Sequence, residues 1–206
     1  MNARSGALRS DLAAIAAMIP EGARVLDVGC GDGALLEYLA REKHVDGRGL
    51  ELNQQNVNAC VTRGLSVVQG DADADLGEYL SGVFDVVILS QTIQATRRPR
   101  HVLSELLRIG RRTVVSLPNF GHWSVRLSLA LNGRMPVTRA LDQTWHETQN
   151  IHLCTIADFV ALARDAGAVI ERALALADDG CTRPMRAGAW GPNLFAAGAI
   201  FLLAKP

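Results

Sequence analysis

The sequence predicts an α/β fold: a doubly wound, mostly parallel seven-stranded sheet with an antiparallel edge strand. Three observations predict it. Short apolar runs alternate with amphipathic helical stretches along most of the chain, the pattern of successive βαβ units. One run, FDVVIL at Phe84 to Leu89, is apolar at all but one position, as expected of a parallel strand covered on both faces. Glycines crowd the end of the first strand, where a ligand can approach the backbone.

Taken in order, Leu8, Leu12, Ile15 and Ile19 recur at helical spacing and open the chain with an amphipathic helix. Arg24 to Val28 is a short buried strand. Ala34 to Lys43 is a helix with Leu35, Leu36 and Leu39 on one face. Gly47 to Leu52 forms the second strand, a helix runs from about Gln54 to Arg63, and Leu65 to Gln69 is the third strand. After FDVVIL comes a helix at Pro99 to Ile109, whose proline fits the first turn, and a strand at Thr113 to Leu117. A helix at Ile156 to Ala166 stops at Gly167. Strands at about Val169 to Ala175 and Ala197 to Leu203 close the chain and suit antiparallel pairing across the Gly- and Pro-bearing segment between them. Residues 1–206 read as one domain with an inserted lid or interface segment at about 118–154, which holds two of the three tryptophans and three of the five histidines.

With 21 basic and 21 acidic residues the formal charge is zero, so nucleic acid is not an expected partner. The runs Leu12 to Pro20 and Ala196 to Ala204 fall far short of the about 20 residues a membrane helix needs. Asp11 and Glu21 bracket the first run and no A-x-A-like site follows it, which argues against a secretory signal. The four cysteines form no CxxC pair and the histidines no HxH or HxxxH, so the expectation is a reduced, cytoplasmic protein without a metal site.

Gly29, Gly31 and Ala34 satisfy the dinucleotide pattern G-x-G-x-x-G/A, while Gly29, Gly31 and Gly33 satisfy the G-x-G-x-G loop that binds S-adenosylmethionine. Asp27 favours the second. Its carboxylate would repel a diphosphate and attract a ligand bearing an ammonium and a sulfonium. Glu51, 20 positions after Gly31, is placed to accept both hydroxyls of a ribose, with Leu52 beside it. Asp71 is expected to accept from an adenine amino group, the Ala72 amide to donate to a ring nitrogen, and the Ser90 carbonyl to meet the ligand's ammonium. Cys30 is read as a small side chain packed under the ligand.

Together VLDVGCGDG, GLELN, GDAD and FDVVILSQ resemble the class I S-adenosylmethionine-dependent methyltransferases across the first half of the chain. More narrowly, VILSQTIQATRRP, SLPNFGHWSVRLSLALNGRMPVT and NIHLCTIADF resemble the MetW family of methionine biosynthesis proteins, a likeness that runs from about Gly22 to Ile170. The resemblance implies a methyltransferase-like Rossmann fold with S-adenosylmethionine as cofactor. It also implies a role beside homoserine O-acetyltransferase or O-succinyltransferase, without itself implying methyl transfer.

Two functions remain open: an accessory or regulatory partner of that acyltransferase, and a methyltransferase acting on a small molecule. His122 and His146 are the candidate bases for the second. The alternative for both is hydrogen bonding to loop backbone beside Trp123 and Trp145. Where amino methyltransferases for nucleic acids and proteins carry N-P-P-[YF], SQTIQ stands, so amide or base nitrogen methylation is not expected.

Overall fold

A computed structural model describes residues 8–138 and 143–205; four positions of the 118–154 segment and the first seven residues lie outside the described residues. The first helix, α1 (Ser10–Ala16), ends earlier than the periodicity implies. Met18 and Ile19 donate backward to Ile15 and Ala16, a tightened turn that still buries Ile15 and Ile19. Then follow β1 (Arg24–Val28), α2 (Ala34–Lys43), β2 (Asp46–Glu51), α3 (Gln54–Thr62), β3 (Val67–Gln69), β4 (Phe84–Ser90), α4 (Pro99–Ile109) and β5 (Gly110–Pro118). The rest is α5 (Trp123–Asn132), α6 (Ile156–Asp165), β6 (Val169–Leu176), β7 (Thr182–Pro184), α7 (Trp190–Phe195) and β8 (Gly198–Ala204).

The sheet order is β3-β2-β1-β4-β5-β8-β6-β7, with β1 to β5 mutually parallel. The last strand lies inside the sheet, antiparallel to both β5 and β6. The antiparallel edge strand is β7, an eighth strand of three residues in the segment that reads as a connection from sequence. Such a strand is too short to show the period-2 alternation that marks longer ones.

Neighbouring residues of β4 separate the two layers. Val87 and Leu89 face α4 and α6, joining Leu103, Leu106, Phe159 and Val160 in one core. Val86 and Ile88 face the opposite side, with Ile15 of α1 and Leu35 and Leu39 of α2. Each such side chain, fully buried, contributes about 1.5–3 kcal/mol. Covering both faces is why β4 and β8 carry continuous apolar runs. Among the described residues no helix is long and apolar enough to cross a membrane.

The order reverses between β1 and β4, and the crevice outside the carboxyl ends of strands at such a reversal is where open α/β sheets bind ligands. The connection after β5 is pinned at both ends. Buried Asn119 donates through Nδ2 to the carbonyls of Asn193 (2.9 Å) and Ala196 (2.8 Å), and its Oδ1 accepts from the Gly121 amide at 2.9 Å. The Phe120 amide donates to the Cys154 carbonyl, joining the start of the segment to its end. Thr155 then caps α6 in a reciprocal pair with Asp158.

Candidate functional site

A cavity of about 710 Å³ lies at the reversal point. It is walled by Gly29 after β1, Glu51 and Leu52 after β2, Asp71 and Ala72 after β3, and Gln91 and Thr92 after β4. Five of the expected contact residues therefore meet: Gly29, Glu51, Leu52, Asp71 and Ala72. Asp27, Cys30, Gly31, Gly33 and Ser90 are outside its wall.

The three glycines have different reasons to be there. Gly31, at φ +57, has open space where a Cβ would sit, so only its backbone conformation demands glycine and ligand approach is unobstructed. Gly33, at φ +81, would put a Cβ 2.5 Å from Leu65 Cδ1; its glycine serves packing of the loop onto α3. Gly33 is also the N-cap of α2, and the Ala34 amide donates to Asp32 Oδ1 at 3.2 Å. Cys30 is buried against Leu36 and Cys60 beneath the loop, and burial, then the nearby Asp27 charge, push its thiol pKa up, so it is inert as a nucleophile.

Glu51 has a task the sequence hides. Oε2 accepts the Gly31 amide at 2.8 Å, while Oε1 accepts the Asn53 amide at 2.9 Å and Asn56 Nδ2 at 3.3 Å. A carboxylate has about four acceptor sites. Three are in use, so two further donors fit only if Asn56 turns away. Asn56 lies in the first turn of α3, which turns back over the end of β2.

Asp27 is buried, and its Oδ1 has no hydrogen-bond partner. Burial first, and the Glu51 charge second, push its carboxyl up to about 7. Asp71 Oδ1 accepts the Asp73 amide at 2.8 Å, an Asx turn that fixes its orientation toward the cavity. Asp73, not singled out from sequence, is buried and accepts the amides of Arg97 (2.7 Å) and Arg98 (2.9 Å), holding the approach to α4. The Ser90 carbonyl already accepts Thr92 Oγ1 at 2.7 Å, and the residues that reach the wall are Gln91 and Thr92 just beyond it.

Gln94 ties the far segment over this site. Its backbone carbonyl accepts the amides of Ile151 and His152, its Nε2 donates to Asn150 Oδ1 at 3.1 Å, and Gln149 and Ile151 complete the cavity wall. His122 is buried with Nδ1 2.7 Å from Ser124 Oγ, a side-chain partner where loop backbone was the expected alternative, and its ring lies 5.8 Å from that of Trp123. His146 is exposed, edge-on to Trp145 at 5.4 Å, and lines no part of the 710 Å³ cavity. The described residues hold no cluster of three metal-ligating side chains.

Residues 9–203 match the family model described as methionine biosynthesis protein MetW. The chain belongs to the MetW family. It is 35% identical over 173 residues to a bifunctional methionine biosynthesis protein MetXA/MetW of Rhodopirellula baltica, a match that covers 80% of this chain and 28% of that protein. A fatty-acid O-methyltransferase of Mycolicibacterium smegmatis is 40% identical over 96 residues, covering 44% of this chain and 34% of that one. The chain thus spans about a third or less of the length of these curated relatives. Among solved structures, a methyltransferase from Thermotoga maritima, described as a possible histamine N-methyltransferase, superposes with a TM-score of 0.70 at 17% identity, covering 96% of this chain and 88% of that one. That likeness establishes for this MetW-family chain the class I methyltransferase fold read from its glycine loop.

Proposed function

We propose that the protein is an accessory or regulatory subunit in methionine biosynthesis that binds S-adenosylmethionine or S-adenosylhomocysteine and docks on a homoserine O-acyltransferase. The observation that carries the reading is α5. Six of the ten residues in WSVRLSLALN are apolar, yet only Val125 is buried. Trp123, Leu127 and Leu131, one face at i, i+4 and i+8, are 47%, 47% and 74% exposed. An apolar helix face of that kind is normally covered by a neighbouring element or a partner. The Rhodopirellula relative, which carries both names in one chain, supports an acyltransferase as what covers it.

The ligand half rests on chemistry that suits this cavity. Asp27 has a buried oxygen with no partner, which an ammonium or a water held by it would satisfy. Glu51 offers a ribose its remaining acceptor site, and a second when Asn56 turns. Asp71 and the Ala72 amide stand where the adenine edge would lie. In this role the bound ligand supplies information rather than a methyl group: it is made from the pathway's product, and unequal affinity for free and docked protein couples supply to acyl transfer.

The alternative reading, methyl transfer to a small acceptor, is favoured by the O-methyltransferases among the partial relatives, while neither His122 nor His146 lines the 710 Å³ cavity. Calorimetric titration of S-adenosylmethionine, with and without homoserine O-acyltransferase, separates the two. A several-fold change in affinity with the partner is the expected result. Binding that ignores the partner, together with methyl loss to an added small acceptor, would return the site to catalysis.

The titration also has a pH signature. A carboxyl whose pKa is about 7 is largely neutral at pH 6 and ionised above 7, and a cationic ligand favours the ionised form. Affinity should therefore rise about five- to tenfold from pH 6 to pH 7.5. Asp27→Asn should flatten that slope near the weaker value. A wild-type slope that survives in the variant would assign the titration to another group.

A further inference from the structure

We infer that the protein has a second small-molecule site, and that its ligand is uncharged, about the size of one aromatic ring, and carries a hydroxyl donor. A cavity of about 220 Å³ lies where Gln94, α6 and the limb by which the 118–154 segment returns to α6 come together. It shares no lining residue with the 710 Å³ cavity, so this site stands or falls separately from S-adenosylmethionine binding.

The walls set the size and polarity of the ligand. Ile93 and Phe159 are buried and Cys154 and Leu162 half-buried, while His152 and Asp158 are exposed, so an apolar interior opens through a polar mouth. Burial pushes the Cys154 thiol up to about 11, which leaves it neutral. An apolar cavity of about 150 Å³ holds benzene, and the larger volume here leaves room for a substituent on such a ring. Charged ligands are disfavoured on two counts. An ionised group set against Ile93 and Phe159 loses its water without gaining a partner, and the Asp158 carboxylate at the mouth repels anions.

Gln94 supplies the independent sign of a ligand. It is 3% exposed, and it lines this cavity and not the larger one. Its Nε2 faces two acceptors, the Gln91 carbonyl at 2.7 Å and Asn150 Oδ1 at 3.1 Å, which fixes the donor end of the amide. The other end, Oε1, is buried without a hydrogen-bond partner among the described residues. A buried acceptor left in this way costs stability, and such groups in folded proteins are nearly always satisfied. Solvent does not reach this oxygen, so a donor has to be carried to it on a molecule that fills the cavity. A hydroxyl on a ring seated against Gln94 meets that need.

The full-length protein is titrated with phenol, toluene and benzoate while its amide resonances, the Gln94 side chain included, are followed by NMR. Phenol and toluene have nearly the same shape, and only phenol donates. The expected result is saturable shifts at Gln94, Cys154 and Phe159 with phenol, weaker binding of toluene although it is the more apolar, and none of benzoate. Gln94→Leu removes the acceptor and should weaken phenol about tenfold without weakening toluene. Because that change also breaks the Asn150 bond, a second variant keeps Gln94 intact: Leu162→Trp, at a half-buried position of α6, fills the cavity and should abolish the shifts with both rings. Toluene bound as tightly as phenol, shifts located elsewhere, no saturation with phenol, or unchanged phenol affinity in either variant would each overturn the site.

Discussion

Glu51→Ala is expected to weaken S-adenosylmethionine binding about a hundredfold and to lower stability as well. The two losses have separate origins. Hydrogen bonds to a charged acceptor are worth roughly 1.5–3 kcal/mol each, and a ribose makes up to two of them here, so about 2.7 kcal/mol of binding, or a factor of about 100, is a conservative expectation. The stability loss comes from the free protein. Without the carboxylate, the Gly31 and Asn53 amides lose the acceptor that holds the glycine loop against β2. Water reaches Asn53, which is exposed, so the combined cost is about 1–2 kcal/mol, a fall of roughly 3–6 °C in Tm. Glu51→Gln divides the effects. Its single oxygen can still serve one amide, which returns part of the stability, but it cannot accept two ribose hydroxyls. Calorimetry and thermal unfolding on the three proteins decide the matter, and an alanine variant that binds within threefold of the native protein would remove Glu51 from the ligand site.

The double role of Glu51 shows which features a sequence carries and which it does not. Its place at the end of β2 is legible, because strand length and the distance from the glycine loop are local properties. That three of its acceptor sites are already occupied is not, since the donors gather only when α3 folds back over β2. Gly33 is similar. Its motif suggests ligand approach, whereas Leu65, 32 positions away, is what excludes a side chain there. The alternation of strands and helices is readable for the same reason that Glu51 is: burial on both faces writes the apolar run VVIL into β4, a local pattern. The antiparallel β8 inserted between β5 and β6 depends on which strand edges are free, and no residue pattern records that. Gln91, one residue beyond Ser90, is not legible in the sequence, because a left-handed glutamine has no sequence signature.

Leu127→Glu combined with Leu131→Glu is expected to abolish measurable docking on homoserine O-acyltransferase, a loss of about a hundredfold or more, while S-adenosylmethionine still binds. The helix explains both halves of the expectation. Neither leucine is in the buried core; α5 is attached to the fold through Val125 and Phe120, and Arg126 Nε donates to the Gly121 carbonyl at 2.6 Å. Substitutions at exposed positions usually change stability by no more than about 0.5 kcal/mol, so the variant should fold, and half-buried Leu127 sets the upper end of any loss. In the complex the same positions become the dry centre of an interface. A few large apolar side chains there carry most of the binding energy, and a carboxylate buried without a partner adds a desolvation cost to the lost contact. The return limb of the same segment is tied to Gln94 at the wall of the ligand cavity, through Asn150 and Ile151, so a partner docked on α5 would sit close in sequence to residues that wall the ligand. Sedimentation of the mixed proteins reads the docking, and calorimetry on the same samples reads the coupling. If the variant still forms the complex, the apolar face belongs to something else; if it loses docking and the partner-dependent change in ligand affinity together, one surface serves both.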